Sequence, residues 1–205
     1  MTRVFLLSPA STAGRRAQIL VRPEAGFDLA RRVRDGGAPL GEVFAFLSGL
    51  YFRGKLTYAN AFAPAGGVFV ITSSDGLVPP ERVVGLADLQ RFASVPIEAQ
   101  EARYRLPLLR DVQALAETAP DAEVVLLGSI ATDKYVEPLR TAFGGRLRFP
   151  SEFAGRGDMS RGGLLLRCVE DGRELTYVGL EAGARHGARP ERLTPRPPVR
   201  RPGPG

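Results

Sequence analysis

The sequence predicts an α/β fold: a three-layer sandwich with a mainly parallel four-stranded central sheet plus a C-terminal β-hairpin. Three observations point there. Four short, mainly apolar strand-like runs stand along the chain, at residues 4–7, 67–72, 123–127 and 147–149. Each empties into a polar loop with hydroxyls, glycine or charge. Stretches with helical spacing lie between them, the alternation that builds a parallel sheet covered on both faces.

Residues 4–7, Val-Phe-Leu-Leu, read as a buried first strand. Ser8-Pro9-Ala10-Ser11-Thr12-Ala13-Gly14-Arg15-Arg16 follows and looks like the first ligand loop of an open sheet, or a plain strand-to-helix turn. Phe27, Leu29, Ala30 and Val33 make one helical face, broken by Gly36-Gly37. Residues 40–62 are helical in spacing, and Gly49 and Gly54 allow two shorter helices in place of one. Their middle sets Tyr51 and Phe52 beside Arg53 and Lys55. Aromatics could stack on bases while cations hold phosphates, or the aromatics are core and the cations face water.

Residues 67–72 form the second strand and run into Ser73-Ser74-Asp75-Gly76, where Asp-Gly is also a common turn pair. Leu106, Leu109, Val112 and Leu115 line a helix over 103–117. The third strand, 123–127, is followed by Gly128-Ser129-Ile130-Ala131-Thr132-Asp133-Lys134 and a helix through Phe143, with Thr132 as its N-cap candidate. A helix start at a strand end suits an anion, although the spacing is neither Walker A nor GxGxxG. The fourth strand, 147–149, leads into a segment with four glycines, Gly155, Gly157, Gly162 and Gly163, expected as a loop carrying Arg156, Asp158, Ser160 and Arg161. Residues 164–169 and 174–178 read as a β-hairpin around Asp171-Gly172.

Composition narrows the function classes. Residues 1–182 are expected as one domain with 22 basic and 21 acidic groups; residues 183–205, with six arginines against Glu191, carry most of the +6 net charge and are too poor in apolar residues to fold. No apolar run approaches the roughly 18 residues of a membrane helix. With one cysteine, Cys168, and one histidine, His186, an internal disulfide is excluded and a His-based triad or multi-thiol metal site disfavoured. A cytoplasmic protein without metal or cofactor is the expectation.

Leu50, Tyr51, Phe52, Tyr58, Ala59, Ile71, Ser73, Gly76, Leu77 and Pro79 resemble the pattern of a group of uncharacterised bacterial domains, in which a Leu-Tyr helix entry precedes a strand and a Gly-Leu-(Leu/Val)-x-Pro turn. Leu127-Gly128, Tyr135, Leu139, Pro150 and the glycine-rich segment fit the same pattern, so the resemblance spans roughly residues 4–168. These domains are similar to distant members of the uracil-DNA glycosylase-like superfamily, nearest the Brig-type phage-defence DNA glycosylases that remove glucosylated hydroxymethylcytosine. There are departures. Ser8-Pro9-Ala10-Ser11 stands where uracil-excising enzymes carry Gly-Gln-Asp-Pro-Tyr or Gly-x-x-Pro-Gly. Pro150-Ser151 occupies the place of the His-Pro-Ser loop without the histidine, and there is no four-cysteine cluster. Uracil is therefore not the expected substrate.

The resemblance implies a metal-independent DNA glycosylase acting on duplex DNA with a flipped, modified base. Such chemistry needs a carboxylate to stabilise an oxocarbenium-like sugar and orient water. Asp158 is the first candidate and Asp75 the second. Ser8, Tyr51, Phe52, Ser73, Ser129 and Ser160 are candidates for contacting the base. Arg15, Arg16, Arg53, Lys55, Lys134, Arg156 and Arg161 are candidates for phosphates. Two other classes fit the same residues: a non-catalytic nucleic-acid-binding module, and a nucleotide- or nucleoside-processing enzyme.

Overall fold

A computed structural model describes residues 2–131, 133–179 and Leu193. The expected basic tail, His186 and the Thr132 N-cap lie outside the described residues. The chain order is β1 (Arg3–Leu7), α1 (Arg15–Leu20), α2 (Asp28–Asp35), β2 (Ala38–Pro39), α3 (Leu40–Ser48), α4 (Leu50–Phe62), β3 (Val68–Ile71), β4 (Leu77–Val78) and β5 (Val83–Val84). It continues through α5 (Leu86–Ser94), α6 (Ala102–Thr118), β6 (Glu123–Leu127), α7 (Asp133–Phe143), β7 (Leu147–Pro150), α8 (Asp158–Glu170) and β8 (Tyr177–Gly179). No helix among the described residues is long and apolar enough to cross a membrane.

The four expected strands are the four parallel strands of one sheet. β1 pairs in parallel with β3 and β6, and β6 with β7; β4 and β8 close the edges antiparallel, giving the order β4-β3-β1-β6-β7-β8. β1 and β6 lie inside the sheet and are apolar on both faces, so each side needs its own cover. Phe5, Leu7, Val125 and Leu127 face a core built with α1–α5 and α8. Val4, Leu6, Val124 and Leu126 face a second core built with α6 and α7. The chain moves outward from β1 to β3, then crosses back to β6 on the other side of β1. This places a topological switch point between β1 and β6, at the carboxyl edge where open α/β sheets bind ligands.

Of the two glycines that allowed residues 40–62 to divide, Gly49 does so, its φ of +65° ending α3 and starting α4, while Gly54 lies inside α4. A side chain is strained there, and glycine is not.

One expectation fails. Residues 164–169 are not the first strand of a hairpin and the glycine-rich segment is not a long loop: both belong mostly to α8. Gly162, Leu165 and Cys168 are its buried stripe, at a helical spacing of three. An apolar run of three leucines does not distinguish strand from helix. The antiparallel partner of β8 is β7, through Phe149↔Val178 and its neighbours.

Gly162 has a packing reason. A Cβ there would lie 2.7 Å from the Leu50 carbonyl oxygen, and a Cβ on Gly54 would lie 2.7 Å from the Gly162 carbonyl oxygen. α4 and α8 cross backbone to backbone. Gly54 and Gly162 serve that crossing.

Candidate functional site

Because β1, β3, β6 and β7 are parallel, the residues that follow them share one edge. A cleft of about 400 Å³ opens there. One wall is the loop of residues 9–13 after β1, with Ser11 and Thr12. Ser73 after β3 and Phe92 of α5 form another, and Lys134 and Tyr135 at the start of α7 a third. The volume lies within the range of small-molecule sites, and the lining mixes aromatic surface with a few polar groups, as such sites do.

The start of α7 is held by a compensation. Pro138 lies inside the helix and lacks the N–H that would bond the Lys134 carbonyl. The Tyr104 hydroxyl, from α6, donates to that carbonyl at 2.8 Å.

Behind the 9–13 loop lies a polar cluster in a dry setting. Lys55 is fully buried. Its Nζ donates to the Ser8 carbonyl oxygen at 2.5 Å and lies 2.8 Å from Ser8 Oγ. It also sits over the rings of Tyr51, at 4.5 Å, and Phe52, at 5.0 Å. Burial pushes the Lys55 ammonium down to about 7; Asp158 opposes the shift and Arg161 adds to it. Burial likewise pushes the Tyr51 phenol up to about 12, with Arg161 opposing. The Tyr51 hydroxyl is buried and makes no hydrogen bond of ordinary geometry to a described residue, although the Arg161 guanidinium faces it.

Asp158 opens α8, with its carboxylate exposed and 3.7 Å from Arg161. Arg161 is mostly buried. It donates twice to the Phe153 carbonyl and stacks over the Phe153 ring. Arg161 also borders a small hollow of about 30 Å³, together with Ser129 and Phe149.

The candidates therefore separate. Ser8, Tyr51, Arg161 and Asp158 gather around Lys55, while Ser73 and Lys134 line the cleft. Ser73 donates to the Phe92 carbonyl at 2.7 Å and is spent on structure. Ser129 Oγ accepts from the Ala131 amide at 3.3 Å. Ser160 pairs with Arg156, which also donates to the Glu152 carbonyl. Arg16 is exposed and donates to the Phe46 carbonyl; Arg15 and Arg53 are exposed.

Three roles change. Phe52 is wholly inside the core, edge-on to Phe44, and has no face for a base. Lys55 is sealed from solvent and cannot reach a phosphate. Asp75 is 14% exposed and clamped by Arg82 at 3.0 Å and Arg91 at 2.8 Å, and Ser74 also donates to it. Desolvation raises its pKa, but these partners outweigh that and leave it below the usual carboxylate value. Both its oxygens are occupied, so it has little capacity to order a water. Asp75 and Asp158 follow strands three places apart in the sheet, roughly 14 Å at ordinary strand spacing.

Sequence reasoning missed Thr12, Phe92 and Tyr135 as walls, and Tyr104 as a support. Only the pattern of Pro138 four residues after Lys134 carried a signal, because it announces an unpaired carbonyl.

Comparison with protein-family models, with curated proteins and with solved structures finds no match.

Proposed function

We propose that the protein hydrolyses the N-glycosidic bond of a modified base in DNA and leaves an abasic site. The observation that carries this reading is the 400 Å³ cleft at the sheet's switch point, walled by Phe92 and Tyr135 and edged by Ser11, Thr12 and Lys134. A flipped base with its deoxyribose needs such a volume and such a mixture of flat apolar and polar surface. In the reaction, the C1′–N bond breaks and the base departs with the electron pair, taking up a proton. Water adds at C1′ and loses a proton. Asp158, exposed at the start of α8 and outside the cleft lining, is the carboxylate assigned to stabilise the cationic sugar and hold that water, which requires the sugar to extend from the cleft toward α8. Lys134 and Arg15 are assigned to flanking phosphates. The resemblance in residues 50–80 supports a modified cytosine, with glucosylated hydroxymethylcytosine the first to try.

The test is incubation with duplex DNA carrying ordinary, hydroxymethylated or glucosylated cytosine, followed by alkali. Strand breaks at modified positions are expected. Intact strands in every substrate would overturn the assignment.

One observation favours a second reading, a nucleoside- or nucleotide-processing enzyme. Of the cations assigned to DNA, Arg16, Lys55, Arg156 and Arg161 donate to the protein itself. That leaves a thin electrostatic footprint for a polyanion. Turnover of free nucleosides with no action on DNA would select this reading. Salt-dependent DNA binding without any product would select a binding module.

A further inference from the structure

Lys55 is the only lysine or arginine among the described residues that is fully buried, and it makes no ion pair with a described carboxylate. A buried ammonium held only by neutral groups is costly, so its persistence calls for a role. Its bonds go to one residue, Ser8, which also bonds β6: the Ser8 amide donates to the Leu127 carbonyl at 3.2 Å. Ser8 ends the strand and begins the cleft wall. Residues 9–13 make no hydrogen bond to another described residue. The Lys55–Ser8 pair is thus the last polar anchor before the wall.

We infer that Lys55 is a positioning residue for the cleft: by gripping both oxygens of Ser8 it sets where the 9–13 wall stands, and the grip changes with its proton. The charged amine donates to both oxygens, and the Ser8 hydroxyl is left to the Leu127 carbonyl, 3.4 Å away. The neutral amine has two hydrogens and a lone pair. The Ser8 hydroxyl can then donate to nitrogen, and its bond reverses. The groups that face Lys55 are Asp158 and Arg161 from α8, Tyr51 from α4, and Ser8 at the end of β1. Burial brings the exchange close to neutrality, at about 7. The meaning of this for substrate rests on the cleft being the ligand site, but the positioning itself does not.

The chain contains two lysines, Lys55 and Lys134. In Lys134→Arg protein labelled with 13C-lysine, a single side-chain Cε signal reports Lys55. It is expected to titrate near neutrality in the folded state. Hydrogen exchange of the Ser8 amide, which is bonded to the Leu127 carbonyl, corrected for intrinsic rate, is expected to rise several-fold over the same pH interval. Lys55→Met should exchange fast at every pH, and Ser8→Ala should show a weakened pH step. A purely structural lysine would give protection independent of pH. A Lys55 signal that does not titrate below about pH 9, or a Ser8 amide indifferent to that titration, overturns the inference. If Lys55→Met does not fold, the two measurements on chains that keep Lys55 still decide. Neither readout uses DNA, so a failure of base excision and a failure of this inference are separately visible.

Discussion

The Tyr104 hydroxyl donates to the Lys134 carbonyl, the acceptor that Pro138 strands inside α7. Tyr104 is buried, and its bond to the Lys134 carbonyl is partly buried. Removing the hydroxyl leaves that carbonyl without its protein partner. Tyr104→Phe is expected to cost about 1–3 kcal/mol in urea unfolding. It should also weaken ligand binding at Lys134 beyond what stability explains. Pro138→Ala in the same background restores an N–H and should recover part of the loss. No recovery would mean that the carbonyl is not the group at stake.

The crossing of α4 and α8 predicts a sharp contrast among glycines. Gly162→Ala and Gly54→Ala force a methyl to within 3 Å of backbone, where nothing flexible can yield. Each is expected to destabilise by about 1–3 kcal/mol, with the helices pushed apart. Gly145→Ala meets open space and should stay within about 0.5 kcal/mol of wild type. Equal melting temperatures for Gly162→Ala and Gly145→Ala would contradict the close approach.

Stability should rise with pH above neutrality. The Lys55 amine is held at about 7 in the fold and returns to its ordinary value near 10.5 on unfolding. Between those values the unfolded chain binds the extra proton, so the gain is on the order of 1 kcal/mol per pH unit. Below pH 7 both states carry the proton and this slope vanishes. Above pH 10 the sign reverses, because Tyr51 and Tyr135, raised to about 12, keep protons that the unfolded chain loses. Denaturant titrations across pH should show a maximum between these limits. In Lys55→Met the rising limb should be absent.

The two candidate carboxylates should behave oppositely. Asp75→Asn breaks contacts with Arg82 and Arg91 and is expected to lower stability by about 1 kcal/mol while leaving any turnover intact. Asp158→Asn alters an exposed group at the start of a helix and should scarcely move the melting temperature. Its turnover of the modified DNA should fall to background. Full activity in Asp158→Asn would remove that residue from the chemistry.

The strands were legible because each signal was local. Residues 4–7 and 124–127 are continuously apolar, as a strand covered on both faces requires, and each opens into a polar loop. That residues 40–62 could divide at a glycine was legible, but the choice of Gly49, at φ +65°, over Gly54 was not, because Gly54 is spent on the approach of α8. The site was legible in outline: loops after parallel strands meet at one edge, so Ser73 and Lys134 reach one cleft. Its chemistry was not. Tyr51-Phe52-Arg53-Gly54-Lys55 reads as aromatics beside cations, and nothing in those five residues says that Lys55 turns inward toward Ser8.

What the sequence determined by itself was the alternation of strands and helices, and hence a parallel sheet with its polar loops on one side. Tertiary structure alone decided that the glycine-rich segment is a helix pressed against α4, that Asp75 is clamped by arginines, and that a lysine sits sealed beneath the cleft. The reason is range. Backbone preference and hydrophobic period act within a turn or two, whereas burial, ion pairing and close helix approach depend on partners such as Ser8 and Lys55, 47 residues apart.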